Sequence, residues 1–360
     1  MSNNKKIKIA IFQKLPKGGG ERTNLEIIKR LKEKYSIKEF TFEHITLKNF
    51  FDYLIFIYIK LPKIHKTLAN QIKKGNFDLL ICNHDYFTKS PYILRYIDIP
   101  KLYFCQEEPR EFYFDKKYLL TSLKQKIINY LRLPLKYIDK NNIKYANILV
   151  TNSEFSKQKL EKIYRKKFNK IYLGVNQKIF HFKNDIKKEN YFITVGSTSK
   201  FKGIDFLIRT IALLPKNVRY PLIIIGDKGR DHKYINYLAK KMQVKIIQKN
   251  KISDSELNDL YNKSKLLLAA AINEPFGLSL IESLSAGTRV IAINEGGYKE
   301  IISNKKLGYL TERNEKLFAE KINLILKEKI DRQFLFNYVK KNWNWDNTIK
   351  NLSILFPTNP

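Results

Sequence analysis

Cysteine is almost missing from this chain: there are two, Cys82 and Cys105, among 360 residues. Their separation fits no metal-ligand spacing. So few thiols exclude a disulfide framework and point to a reducing compartment, with both thiols expected near strand ends. Long apolar runs are missing as well. The longest, near Phe50–Leu61, is broken by Asp52 and Lys60 and is too short to span a bilayer. No secretory signal opens the chain, because Met-Ser-Asn-Asn-Lys-Lys passes straight into a strand-like run; the expected location is cytoplasmic. Acidic residues are scarce, 34 Asp+Glu against 68 Lys+Arg, for a formal net charge of +34. Such a balance attracts nucleic acid, anionic lipid or nucleotide phosphates. Lysine is spread along the whole chain, however. There is no zinc spacing, RNP-like aromatic motif or isolated basic arm, so no nucleic-acid partner is expected. Glycine is sparse too. Of 14, all but Gly75 fall in strand-end turns, in an inter-domain segment or near Gly308, where a bare backbone lets phosphate or sugar approach closely.

What is present suits a globular α/β protein. Charged residues make up 28% and hydrophobic ones 44%, and the length fits two domains of ordinary size. The chain is organised around residues 266–297. Leu266–Ala271 suits a core strand, although its length alone does not exclude a helix. Pro275 and Gly277 turn the chain, a helical pattern follows from Leu278 and stops at Gly287, and Val290–Ile293 is a second buried-type run. Strand, turn, helix, strand is the unit of a parallel sheet. Backbone N–H groups at Gly277, Leu278 and Ser279 open that helix and suit phosphate or sugar oxygens. Glu274 ends the strand and Glu282 lies about one turn into the helix. They either face one ligand from two sides or are solvated charges flanking an ordinary turn.

These residues carry a resemblance. Glu-Pro-Phe-Gly-Leu-Ser-Leu-Ile-Glu at 274–282, followed by Ala286-Gly287-Thr288, Val290-Ile291-Ala292, Gly296-Gly297 and Glu300, closely resembles the E-x7-E signature of the family 4 glycosyltransferases. The resemblance covers nearly the full length. It is strongest over 191–302 and weakest over 36–76 and 113–145. It implies a GT-B fold: two Rossmann-like parallel-sheet domains facing a cleft, with a C-terminal helix crossing back to the N-terminal domain. The expected domains are 1–175 with helix 343–357, on the acceptor side, and 176–342, which binds the nucleotide-sugar. Retention of anomeric configuration is implied as well. In that family it is attributed to same-face attack with no clear enzyme nucleophile, so none is expected here.

The same resemblance implies roles. Glu282 holds the ribose hydroxyls and Glu274 the transferred sugar, since carboxylates accept from hydroxyl pairs. Lys202 neutralises the leaving diphosphate, with the turn from Phe276 through Gly277, Leu278 and Ser279 beside it. Where the family has Arg after the glycine at 196, this chain has Ser197, so either Lys200 substitutes or donor binding is weaker. No Asp-x-Asp motif occurs, so neither metal nor cofactor is expected.

The rest follows in order. Lys6–Phe12 reads as a strand. Gly18-Gly19-Gly20-Glu21-Arg22 follows it and resembles the family's Gly-Gly-x-Glu-Arg loop, with Gly19 and Gly20 beside the donor; a helix is expected over 24–35. Asp78–Cys82 is a strand that leads to His84, as readily structural as catalytic. Lys101–Cys105 leads to Gln106 and Arg110, resembling a Cys-His-x-Pro-Pro-Arg segment of mannosyltransferase-like members. With Gln106 in place of His, hydrogen bonding to sugar remains and titration does not. Phe50–Lys66 and Tyr113–Tyr145 mix aromatic and basic residues. Each is either an amphipathic face on an anionic membrane, giving peripheral attachment, or a helix packed on its own domain. Ile148–Thr151 is a strand with a helix capped by Asn152-Ser153, the linker is placed near 174–190, and strands follow at 191–195, 222–225 and 244–247.

The expected function is transfer of a sugar from a nucleotide-sugar, GDP-mannose-like, to a glycan or lipid-linked acceptor in cell-surface polysaccharide synthesis. The alternatives are a UDP-sugar-dependent transferase of the same fold and a non-catalytic sugar- or lipid-binding relative. Intact Glu274, Lys202 and Glu282 argue against the latter.

Overall fold

A computed structural model of the protein describes residues 6–15, 18–43, 45–113 and 123–357, with the side chains of 123–125 outside the description. The chain divides into two units, residues 1–172 with 345–360, and residues 173–344.

The first unit is built on one parallel sheet. Its strands are β1 (Lys8–Phe12), β2 (Ser36–Phe40), β3 (Leu79–Asn83), β4 (Lys101–Phe104), β5 (Ile148–Thr151) and β6 (Asn169–Lys170), in the order β2-β1-β3-β4-β5-β6. β3 and β4 are apolar throughout their centres and buried at every position, as strands covered on both faces must be. Helix Leu61–Lys74 shows the complementary pattern. It buries Leu61, His65, Leu68, Ala69 and Ile72, one stripe at helical spacing, and turns its lysines outward. The last helix, Trp345–Ser353, belongs to this unit. Arg30 lies over the Trp345 ring, Tyr35 meets Phe356 edge-on at 5.3 Å, and Thr348 donates to the Tyr172 carbonyl at 2.8 Å.

The second unit has β7 (Phe192–Val195), β8 (Leu222–Ile225), β9 (Ile246–Lys249), β10 (Leu266–Ala269), β11 (Val290–Ile293) and β12 (Gly308–Thr311). They lie in the order β12-β11-β10-β7-β8-β9, all parallel. Phe192, Leu268 and Ile291 from the sheet pack with Leu207, Ile211 and Phe318 from the helices over it.

Several boundaries differ from the sequence reading. The first helix runs Gly19–Leu31, not 24–35. Its first turn closes when Arg22 N–H meets the Gly18 carbonyl at 3.0 Å, so only Gly18 acts as the turn, and the chain must uncoil by Ser36 to enter β2. β9 starts at Ile246 rather than Val244. Val244 instead donates its N–H to the Ala239 carbonyl and caps the helix before it through Gln243 at φ 53°. Residues 174–190 are no free linker. Ser285 bonds the Phe180 carbonyl, while Asn258 and Asn262 accept from His181 and Lys183 N–H, which lays the segment onto the second unit. Trp343 also stays there, and the final helix begins only at Trp345. Strands β2, β6 and β12 had not been expected. Of the aromatic and basic segment at 113–145, residues 114–122, with Leu119 and Leu120, lie outside the described residues.

His65 gives the first unit a pH response. It is fully buried, its Nδ1 accepts the Ile93 N–H at 3.0 Å, and it packs edge-on against Phe12. Burial pushes its pKa down to about 3 from 6.5. The folded chain therefore keeps His65 neutral while the unfolded chain protonates it near 6.5. The stability this difference contributes is present above pH 6.5 and is lost as pH falls toward 3. His65→Gln keeps the acceptor and cannot titrate. From pH 7 to pH 5, wild type should lose about 2 kcal/mol relative to the variant, read by urea unfolding at both pH values. A pH-independent difference would contradict this.

Candidate active site

Strand order decides where chemistry can gather. Counted from β7, the second sheet runs 3-2-1-4-5-6 from the β9 edge, the arrangement of nucleotide-binding doubly wound sheets. The order reverses between β7 and β10, so the loops after their carboxyl ends leave in opposite directions and open a crevice. Lys202 is in one of these loops and Glu274 in the other. Gly203 lets the loops meet: its φ is 67°, and a Cβ there would sit 2.0 Å from the Ala270 carbonyl oxygen. Ile272 N–H bonds the Phe201 carbonyl at 2.8 Å across the same seam. The outcome is an ion pair, Lys202 Nζ to Glu274 Oε2, at 2.9 Å, with both side chains 21% exposed.

The β11 loop supports Glu274 from behind. Gly297 N–H donates to the Glu274 carbonyl at 2.8 Å. Arg313, just past β12, forks onto both carboxylate oxygens of Glu295 at 2.9 Å and reaches the Ala270 carbonyl at 3.1 Å. Arg313 carries no motif and went unnoticed in the sequence; its reach across the β10 and β11 ends is a product of the sheet. Helix Leu278–Ser285 opens at Gly277, with Leu278 and Ser279 half-buried and their N–H groups in the first turn. Phe276 is buried, its ring edge-on to Trp343 at 5.6 Å, so it walls the loop. Glu282 is only 4% exposed, and its Oε2 accepts the Tyr261 hydroxyl at 3.1 Å. Lys200 diverges from Lys202. Its N–H is held by Asp231 at 2.7 Å and its ammonium lies over the Tyr234 ring at 5.7 Å. Ser197 meets the Ser199 hydroxyl at 3.2 Å.

The first sheet reverses order between β1 and β3, and its candidates follow those strands and β4. Gln106 Nε2 donates to the Gly20 carbonyl at 3.2 Å, which joins the β4 end to the start of helix Gly19–Leu31. Asn83 donates to Asn24 at 2.6 Å across the same gap. His84 is 8% exposed, and its Nδ1 has no partner among the described residues. Burial, then the Lys89 charge, lowers its pKa to about 4 against the opposing pull of Glu107 and Glu111, so the ring is neutral at pH 7. Arg110 is tied to Glu107 at 2.7 Å.

Residues 176–342 match the model of the family described as glycosyl transferases group 1. The matched segment is a little under half of the chain. Around it, the chain is 28% identical to the O-antigen chain mannosyltransferase RfbU of Salmonella typhimurium over 59% of this chain and 60% of that protein. Among solved structures, the sucrose-phosphate synthase of Thermosynechococcus elongatus superposes with a TM-score of 0.76 at 17% identity, covering 98% of each chain. Anabaena HepE, in complex with UDP and glucose, gives 0.74 at 14% identity, covering 97% of this chain and 98% of its own. The chain spans 43 to 60% of the length of several curated relatives it matches. The architecture is the GT-B fold, two Rossmann-like parallel-sheet units.

Arg313→Ala should free the loop that backs Glu274. Losing a half-buried bidentate pair costs about 1 kcal/mol, and amide exchange at 294–297 should accelerate while β10 and β11 stay protected. Unchanged exchange at 294–297 would show that the loop is held without Arg313.

Proposed function

We propose that the protein transfers a sugar from a nucleotide-sugar donor to a glycan or lipid-linked acceptor in cell-surface polysaccharide synthesis, with retention of anomeric configuration. The observation that carries this reading is the Lys202–Glu274 pair at the crevice of the second sheet. The O-antigen relative supports mannose as the sugar, and the UDP complex of HepE supports a nucleoside diphosphate as the leaving group. GDP-mannose is the favoured donor and a UDP-sugar the alternative.

The residues suit the steps. A diphosphate in the crevice draws on the Lys202 ammonium and on the N–H groups opening helix Leu278–Ser285, an electrostatic clamp that needs no metal. Lys200, held over Tyr234, would have to turn to replace the arginine absent at 197. Glu274, with its partner drawn to phosphate, accepts from the sugar hydroxyls, and Glu282 takes the ribose. The bond from the anomeric carbon to the diphosphate oxygen breaks, and its electrons leave with that oxygen. The acceptor hydroxyl adds on the same face and gives its proton to the departing diphosphate. In the first unit, neutral His84 and Gln106 offer hydrogen bonds to acceptor or sugar hydroxyls, near Arg110.

Glu274→Ala should lower turnover about 100-fold or more, the loss expected for one well-placed transition-state contact. The assay is nucleoside diphosphate release from GDP-mannose and UDP-glucose with EDTA present. Thermal shifts with GDP, UDP and ADP identify the base and confirm that the variant folds. Normal turnover in a folded variant would refute the reading.

Attachment to an anionic membrane is part of the same proposal. Among the described residues no helix is long and apolar enough to cross a membrane. The helices Phe50–Ile55, Leu123–Leu131 and Leu133–Asn142 expose Phe51 at 70%, Tyr130 at 71% and Tyr137 at 72%. Lys60, Lys63, Lys126 and Lys140 are exposed in the same segments, and each basic residue at an anionic surface adds about 1 kcal/mol. The protein should sediment with anionic vesicles, release in high salt, and bind several-fold less after Tyr130→Ala with Tyr137→Ala. Equal partition to neutral vesicles would count against attachment.

A further inference from the structure

The second sheet has a second concave feature at its opposite end. A cavity of about 310 Å³ opens where β11 and β12 begin, roughly one strand length, about 13 Å, from the Lys202 crevice. Arg289, Lys305, Lys306 and Lys329 line it, against two carboxylates. Both carboxylates are already engaged. Glu328 is held by the Arg289 guanidinium and by the Tyr309 hydroxyl at 2.7 Å, and Asp331 accepts the Phe334 N–H at 2.8 Å as a helix cap. Burial raises the Glu328 pKa, but the bonds from Tyr309 and Arg289 outweigh it and hold the group ionised. Among the described residues no carboxylate pairs with the ammonium groups of Lys305, Lys306 or Lys329. Arg289 is only 3% exposed and keeps a buried Nε without a partner. Two aromatic rings complete the walls. Lys306 Nζ stands 5.1 Å over the Phe334 ring, and Arg289 stacks over Tyr309 at 5.9 Å.

The geometry points to a second ligand site here, for a phosphomonoester that carries a ring-shaped body of monosaccharide to nucleoside size. Three unpaired ammonium groups suit a dianionic phosphoryl group, which lysine binds as a point charge. The rings of Tyr309, which also carries Lys321 Nζ at 5.3 Å, and of Phe334 supply apolar edges and walls for the body of the ligand. The volume lies at the lower end for small-molecule sites, enough for such a molecule and far from enough for a polymer. Because β11 and β12 run from this cavity to the Glu295 loop and to Arg313, it shares the sheet with the candidate active site but none of that site's residues.

The test is calorimetric titration of the full chain at fixed ionic strength with glucose 6-phosphate and AMP, and with inorganic phosphate and glucose as controls. At least one phosphomonoester should bind about 10-fold more tightly than inorganic phosphate, and glucose should not bind. Saturating GDP or UDP should leave that binding in place, and Lys306→Ala with Lys329→Ala should weaken it about 10-fold or more. These lysines are exposed, so the variant keeps its fold. Phe334→Leu should weaken the phosphomonoester and spare inorganic phosphate, which separates the ring wall from charge alone. The proposal is overturned if neither phosphomonoester binds, if the lysine variant binds as wild type does, or if GDP or UDP displaces the ligand competitively. None of these readouts depends on sugar transfer.

Discussion

The reversal of strand order between β7 and β10 is the constraint on which the candidate site depends. A parallel sheet wound in one direction sends every loop the same way. Where the winding reverses, two loops part and leave backbone and side chains facing an open crevice. In the second unit those loops bring Lys202 against Glu274, 72 positions apart in the chain. Gly203 makes the contact possible by giving up its side chain beside the Ala270 carbonyl. An ion pair this exposed contributes little to folding, on the order of a kilocalorie or less. A cation and a carboxylate held this way at a crevice are what the proposed transfer requires of its donor side.

The first unit repeats the topology with different contents. Its reversal lies between β1 and β3, and the groups gathered there are amides and a neutral imidazole, with the Arg110–Glu107 and Lys89–Glu111 ion pairs beside them. Asn83 bonds Asn24, and Gln106 bonds the Gly20 carbonyl, two contacts that tie the strand-end loops to the first helix. A set of neutral donors and acceptors suits hydroxyl groups, whereas the second unit's cation suits phosphate. One topology thus carries two different sets of groups at its strand ends.

Charge is distributed with similar economy. The excess of lysine is general, yet a few cations are placed where the sheet gives them neighbours. Lys202 meets a carboxylate at one end of the second sheet. Among the described residues Lys305, Lys306 and Lys329 form no ion pair at the other, beside carboxylates that Arg289, Tyr309 and a helix cap already occupy. Position relative to fixed hydrogen bonds, not the formal charge of the chain, separates a binding surface from a solvated one.

Short-range order was legible in the sequence. β5, β8 and β11 were bounded correctly because a continuous apolar run between turn residues fits a strand buried on both faces. Ser153 marked its helix because a cap is a local hydrogen bond, made within three residues. Glu274, Lys202 and Gly277 stood out because they fall in short stretches that resemble the motifs of the family 4 glycosyltransferases. The strands β2 and β12 did not, since edge strands bury too little to leave a clear pattern. Arg313, the inward setting of Glu282 and the divergence of Lys200 from Lys202 had no local sign either. Each is decided by which strand lies beside which, through contacts made between residues distant in the chain. The sequence by itself determined the elements and the chemistry their ends carry. Only the tertiary structure decided which ends meet, because pairing in a parallel sheet depends on crossovers that no local pattern records.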